Sequence, residues 1–269
     1  MKEDLLSHSC TKWVGKKFKY LKTCTSTNVL AKEAGEEGEE HGYVIMADEQ
    51  TAGRGRRGRV WQSPQGANIY FTILLRPSIS PEKASMLTLV MAHSVAKAIE
   101  EIIGEQEASR CKPQIKWPND ILLSGKKVCG ILTEMSVEKE HIHYVVCGVG
   151  INVARQEFAE EIKDTATALE IETGMSISKE LLFAGIMEHF EKDYEGFMLT
   201  EDLSSLKDEY EKMLVNRGKE VRVLDPKGEW AGIAKGINLQ GELLVENDRG
   251  ETVHVYAGEV SVRGLQGYV

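Results

Sequence analysis

From residue 114 to residue 153 the chain reads as β-strand with few interruptions, and a run of that kind commits the protein to a sheet. Residues 114–117, 120–123, 128–136 and 143–153 carry alternating or continuous apolar side chains. Pro118 breaks the first of these runs, because the residue before a proline is driven out of helix. Ser124-Gly125-Lys126 supplies a tight turn between two others. Residues 43–47 and 68–75 add two more strands. Helices are expected over 27–40, from Pro81 to about Ile103, and over about 178–198 and 201–214. The first starts at Ser26 and Thr27, whose oxygens can take the free N–H groups. Its acidic end, 33–40, contains Gly35 and Gly38 and reads as a solvated turn. The second carries Met86, Leu89, Val90, Ala96 and Ile99 at helical spacing, a core stripe.

The tail changes character. Residues 221–224, 232–237, 243–246 and 252–256 are short strands at ~10-residue spacing, which predicts a small all-β barrel or sandwich. Asp225-Pro226, Gln240-Gly241 and Arg249-Gly250 separate them. The boundary is expected at Asn216-Arg217-Gly218, giving a mixed sheet with helices over 1–217 and a β module over 218–269.

Composition removes several function classes. The 269 residues include 33 Lys and Arg against 42 Asp and Glu, a net charge of −9. A general nucleic-acid binder needs a basic face to replace phosphate counterions, so that class is disfavoured. Hydrophobic residues, at 42%, suffice for a core. No apolar run approaches the ~18 residues of a membrane helix, and MKEDLLSHSC lacks the apolar segment of a secretory signal. A soluble cytoplasmic protein is expected. Cys10, Cys24, Cys111, Cys129 and Cys147 are odd in number and form no CxxC pair, which argues against a disulfide framework or a structural zinc site.

Against that acidic background, four arginines and three glycines crowd residues 53–59, within the stretch 51–61 that ends at Trp61. Glycine lets a ligand approach backbone N–H groups, and arginine forks onto phosphate or carboxylate. The combination describes an anion cradle, although a basic patch or a solvated loop fits the composition equally well. Lys116-Trp117-Pro118-Asn119-Asp120 exposes a carboxylate that can hold magnesium or orient an amine, or simply make a turn. Lys127 heads an apolar strand, within reach of a site beside the sheet. Gly148 and Gly150 inside a strand call for close approach by a ligand or another chain, and Asn152 follows with donors and an acceptor.

Ser26-Thr27-Asn28, Gln50, the GRGRRGR loop, KWPND, Lys127 ahead of CGIL, and GVGINV occur in this order. Over about residues 12–263 the chain resembles the biotin–protein ligases, the family that also contains the bacterial biotin operon repressor. The resemblance implies an α+β fold, with a class II synthetase-like mixed sheet and a small C-terminal SH3-like β-barrel. It implies biotin and ATP as substrates, with Mg2+, and biotinyl-5′-adenylate as intermediate. A lysine of a biotin acceptor domain, such as the biotin carboxyl carrier protein, is the second-step nucleophile. Biotin contacts fall on Ser26, Thr27, Asn28, Gln50, Gly53, Arg54, Gly55, Arg56 and Lys127. ATP contacts fall on Arg54, Arg56, Arg59, Trp61, Asn119, Lys127 and Asn152, with Trp61 against the adenine. Arg56, Lys127, Asp120 and Lys116 carry the chemistry, Asp120 orienting the incoming amine or holding a metal, and Glu259 and Arg263 approach the ATP side. A homodimer touching near 148–153 is expected, as is a mobile arginine loop in the free protein.

Only 25 residues precede Ser26, against the ~60 of a winged helix, so no DNA-binding domain is expected. Lipoate–protein ligase is the near alternative, but its RRxxGGGxVxH-type stretch is absent from the sequence. A nucleic-acid module using the arginine loop is the distant one.

Overall fold

The computed structural model describes residues 10–108, 110–225, 228–257 and 261–264. In chain order the larger unit contains β1 (Phe18–Leu21), α1 (Thr27–Glu36), β2 (Tyr43–Ala47), β3 (Asn68–Leu75) and α2 (Met86–Ala108). It continues with β4 (Gln114–Lys116), β5 (Asp120–Leu123), β6 (Lys126–Glu138), β7 (His141–Asn152), α3 (Leu169–Thr173), α4 (Lys179–Thr200) and α5 (Lys207–Met213). The seven strands lie in the order β1-β2-β3-β7-β6-β5-β4. The β1–β2 pair is parallel and the remaining pairs are antiparallel.

Side-chain alternation decides what each face of this sheet meets. Val44, Met46, Phe71, Ile73, Val145, Cys147, Val149 and Ile151 join the main core with α2 and α4. Ile45, Leu74, Tyr144 and Val146 point the other way, against Ala31 and Ala34 of α1. α1 is only 10 residues long, so it covers part of that second face. Farther along the same face, by alternation, come Gly148, Gly150 and Asn152 of β7, Thr72 and Asn68 of β3, and Gly130 and Glu134 of β6. Their cross-strand registers are Gly150 with Gly130 and Asn152 with Asn68. This stretch of sheet, left open by the short helix, is where a site can form.

Strands β8 (Glu220–Asp225), β9 (Gly228–Ile237), β10 (Leu243–Glu246), β11 (Thr252–Val255) and β12 (Ser261–Gly264) form a separate antiparallel sheet, ordered β11-β10-β9-β8-β12. It is bolted to the larger unit by Trp117, whose Nε1 donates to Gly241 O at 2.9 Å. Glu211 of α5 accepts the Ile237 N–H at 3.0 Å.

The pattern missed β1, α3 and β12. Pro81 opens only a 3-10 turn, Pro81–Lys83, and α2 itself begins at Met86. The last helix starts at Lys207 rather than at 201, because Glu201 takes a left-handed conformation (φ 54°) that terminates α4.

Candidate active site

The open half of the sheet carries two adjoining pockets. The smaller lies where α1 begins. Gly148 leaves room there for Asn28: a Cβ at that position would fall 1.8 Å from Asn28 Oδ1. The Asn28 amide is fully engaged, donating to Leu132 O (3.1 Å) and Glu134 Oε2 (2.9 Å) and accepting from Thr72 Oγ1 (2.7 Å). Lys32, one turn further along α1, pairs with Glu134 at 2.8 Å. Burial would raise the Glu134 carboxyl, but the Lys32 and Asn28 hydrogen bonds outweigh it and hold the group below its ordinary value. Gln50 Oε1 accepts from both the backbone N–H (2.8 Å) and the hydroxyl (3.1 Å) of Thr27, and its amide donates to Ser63 Oγ at 3.0 Å. One amide hydrogen of Gln50 is left over. Ser26 sits at the helix N-cap without a side-chain capping bond. The pocket thus offers a few fixed polar groups, most of them already tied to the protein.

The arginine loop closes over this pocket and has a defined shape. Trp61 N–H donates to Gly53 O (3.0 Å), and Gly55 N–H to Arg59 O (2.8 Å). Arg57 adopts a left-handed conformation (φ 58°), unusual for a residue with a Cβ. The loop's anchor is Trp61, whose ring lies on the facing glycines of β6 and β7. A Cβ on Gly150 would meet it at 2.5 Å, and one on Gly130 at 2.8 Å. Lys127 Nζ stands 5.2 Å from the ring centroid and 2.5 Å from Asp120 Oδ1. Asn119 links this pair to the loop, donating to Asp120 Oδ1 at 3.0 Å and accepting from Arg56 Nη1 at 3.0 Å. Arg56 also donates to Ala257 O, a contact from the second sheet. Burial lowers the Arg56 guanidinium from its ordinary value, yet it stays charged at neutral pH. Four side chains, Arg56, Asn119, Asp120 and Lys127, therefore form one continuous polar chain.

Beyond them opens the larger cleft, about 220 Å3 in volume. Lys116, Asn119, Asp120 and Asn152 lie on its floor and side, with Arg59 at its edge. Phe158, Ile162 and Ala166 form an apolar wall. The wall is stitched to Lys127, whose N–H donates to Thr165 O (2.8 Å) and whose carbonyl accepts from Thr167 N (2.9 Å). Lys116 is 5% exposed, so its charge is committed to this buried surface.

The expected site residues divide by position. Ser26, Thr27, Asn28, Gln50 and Arg54 line the smaller pocket, while Lys116, Arg59, Asp120 and Asn152 line the larger. Gly55, Arg56, Trp61, Asn119 and Lys127 line both. Gly53 lines neither: it packs against the Trp61 carbonyl, and a Cβ there would fall 2.4 Å from that oxygen. Glu259 lies outside the described residues, and Arg263 pairs across β12 with Arg222. Lys32, Glu134, Thr72, Asn68 and Gln156 were not anticipated. Lys32, at i+4 from Asn28 on one helix face, was the one sequence signal available.

The glycines of β7 admit Asn28 and Trp61 of the same chain, and β7 lies between β3 and β6. Asp120 pairs with Lys127 at 2.5 Å; among the described residues no group of three or more His, Cys, Asp or Glu could hold a metal by side chains alone, and a single carboxylate beside bound phosphates requires no such group. Trp61 and Arg56 tie the arginine loop to the sheet and to Asn119. Burial pushes the Cys24 thiol up to about 11 and the Cys147 thiol up to about 12. Among the described residues no helix is long and apolar enough to cross a membrane.

Comparison with known proteins agrees with this geometry. Residues 20–152 match the model of the biotin/lipoate A/B protein ligase family, and residues 218–263 match the biotin protein ligase C-terminal domain. The bifunctional ligase/repressor BirA of Bacillus subtilis is 37% identical over 258 residues, covering 94% of this chain and 76% of that protein. The biotin–[acetyl-CoA-carboxylase] ligase of Paracoccus denitrificans is 31% identical, covering 82% and 90%. The biotin protein ligase from Aquifex aeolicus in complex with biotin and ATP superposes with a TM-score of 0.77 at 30% identity, covering 93% and 99%. Identity of this level over most of the relatives' length places the chain in the biotin protein ligase family of enzymes.

Proposed function

We propose that the smaller pocket holds biotin, the larger cleft holds ATP, and the protein joins them as biotinyl-5′-adenylate before passing biotin to an acceptor lysine. The observation that carries this reading is the shared wall: five residues line both pockets, and two of them, Arg56 and Lys127, are cations. The first step brings a carboxylate against the α-phosphate, two anions that repel. Fixed positive charge at the meeting point offsets that repulsion without reorganisation during reaction. The carboxylate oxygen bonds to phosphorus, and pyrophosphate leaves. Ser26, Thr27 and Gln50 present the polar contacts a ureido ring needs, with Asn28 holding their frame, and Gly55 lets the chain pass under the loop. Arg59 of the loop and Lys116 line the nucleotide cleft, and Arg54 meets the carboxylate from the biotin side. Mg2+ would accompany the nucleotide phosphates, and among the described residues Asp120, paired with Lys127, is the carboxylate that lines the cleft there.

In the second step the acceptor amine attacks the acyl carbon, AMP leaves, and Asp120 receives the amine proton. The acceptor is a biotin carboxyl carrier protein or similar domain. Catalysis is assigned to residues 1–217, with 218–269 as a supporting module. Inward pairing of Arg56 with Asn119 and Ala257 favours this reading over nucleic-acid binding. Transfer of labelled biotin to a carrier domain with ATP tests it. Pyrophosphate exchange that depends on lipoate instead of biotin would overturn it. A homodimer is part of this reading, and sedimentation at tens of micromolar tests it.

A further inference from the structure

At the far end of the larger cleft, one buried amide organises two others. Asn68 is 3% exposed and faces Asn152 across β3 and β7. Its Oδ1 accepts from the backbone N–H of Val153 at 3.0 Å and from Gln156 Nε2 at 2.9 Å. Its Nδ2 donates to Tyr70 Oη (2.8 Å), Gln156 Oε1 (3.3 Å) and, at the limit of bonding distance, Asn152 Oδ1 (3.5 Å). Amide oxygens and nitrogens are hard to tell apart by shape, but a backbone N–H can only donate and a backbone carbonyl can only accept. Val153 N–H therefore sets which end of Asn68 is which. Asn68 then sets Gln156 through a two-bond amide pair, and the Thr167 carbonyl, 3.1 Å from Asn152 Nδ2, sets Asn152.

Asn152 and Gln156 both line the cleft. After these bonds each keeps one N–H and one oxygen lone pair, in an order that cannot be reversed. A freely flipping amide reads a 6-amino purine edge or a 6-oxo purine edge equally well, because it swaps donor for acceptor. A pinned amide reads only one.

We propose that Asn68 is a positioning residue for nucleotide selectivity: by fixing the amides of Asn152 and Gln156 it makes the cleft prefer a 6-amino purine over a 6-oxo purine. The proposal rests on the reading of the cleft as an ATP site. Asn68 itself touches no nucleotide, so its loss acts on choice of base more than on the reacting atoms at Arg56 and Lys127.

The test compares binding of MgATP and MgITP by calorimetry in the full chain, without biotin, beside its Asn68→Ala and Gln156→Ala variants. Wild type should prefer ATP by at least about tenfold, the scale on which buried polar groups reject a mismatched partner. Asn68→Ala should shrink that preference several-fold, chiefly by weakening ATP while ITP holds or improves. Gln156→Ala, on the rim of the cleft, should shrink it less, and it decides the matter if Asn68→Ala does not fold. A wild-type protein that binds both nucleotides alike, or variants that weaken both in parallel, would overturn the proposal. Binding of ATP with no biotin-dependent pyrophosphate exchange would count against the ligase reading and leave base choice measurable.

Discussion

The smaller pocket and the larger cleft share a wall, yet they are built differently. The smaller rests on helix α1 and strands β6 and β7 beneath the arginine loop, and its amides are hydrogen-bonded to neighbouring protein groups before any ligand is considered. The larger is closed by segments outside strands and helices: the arginine loop on one side and residues 154–167 on the other. A pocket framed by regular elements recognises one shape. A cleft framed by loops can close on its ligand and open for the product.

That contrast is most easily broken at Gly148. Gly148→Ala places a methyl group on Asn28, and overpacking of this kind costs roughly 1–3 kcal/mol. Biotin affinity should fall by about 100-fold, the equivalent of ~2.7 kcal/mol, with ATP binding changed by less than about threefold. Calorimetry with each ligand reads both numbers, and equal losses would show that the two pockets are one mechanical unit.

At the shared wall the contrast should vanish for one half-reaction. Lys127→Ala should slow adenylate formation by about 10²–10³, the range for loss of one charge-stabilising group. Asp120→Asn should spare that step more than it spares transfer, since an attacking amine enters only second. Single-turnover assays separate the steps. Because Asp120 and Lys127 are paired at 2.5 Å, some loss of adenylation is expected as well, but equal loss in both steps would remove the proton-accepting role.

A smaller effect tests the loops. Arg54, Arg57 and Arg59 are exposed while Arg56 is turned inward. Trypsin should cut first at the exposed arginines, and biotin with ATP should slow that cut several-fold, because ordering each loop residue costs about 1–2 kcal/mol that ligand contacts must offset. Cleavage at one rate with and without both substrates would make this loop as rigid as the sheet.

The smallest effect concerns the far end of α1. Arg76 donates to Gly35 O at 2.7 Å and Glu39 O at 2.9 Å, and its backbone N–H donates to His41 Nδ1 at 2.9 Å. Burial, with the Arg76 charge, lowers His41 below the ordinary imidazole value. A base whose folded value is depressed contributes stability fully present above about pH 6.5 and lost as pH falls toward the folded value. Thermal unfolding between pH 7.5 and 5.5 should therefore fall more steeply in wild type than in His41→Asn, which keeps an acceptor but does not titrate. Identical slopes would remove His41 from the support of the pocket.

Much of this was legible in the chain. Strands β2, β3 and β5 to β7 follow from apolar periodicity, and the motif residues converge on the two pockets. What stayed hidden depends on distance along the chain. The pairing of β3 with β7 joins residues about eighty apart and brings Asn68 to Asn152, and only the packing of α1 on the sheet brings Thr72 to Asn28. β1 is four residues long and β12 likewise, too short for alternation to declare itself. The two β7 glycines announced close approach, but not that the visitors would be Asn28 and Trp61. Glu134 reads as one acid on a strand until folding sets it beside Lys32.

The contact between Arg56 and the carbonyl of Ala257 carries a consequence for inheritance. A main-chain oxygen has no codon of its own, so replacing the alanine side chain leaves it in place. Drift among small side chains that fit this buried position can pass unnoticed. Insertion or loss of a residue between Val255, where β11 ends, and Ala257 cannot, because it moves the oxygen away from the guanidinium. In this connection, unlike the arginine loop it serves, length is the heritable trait and spelling is not.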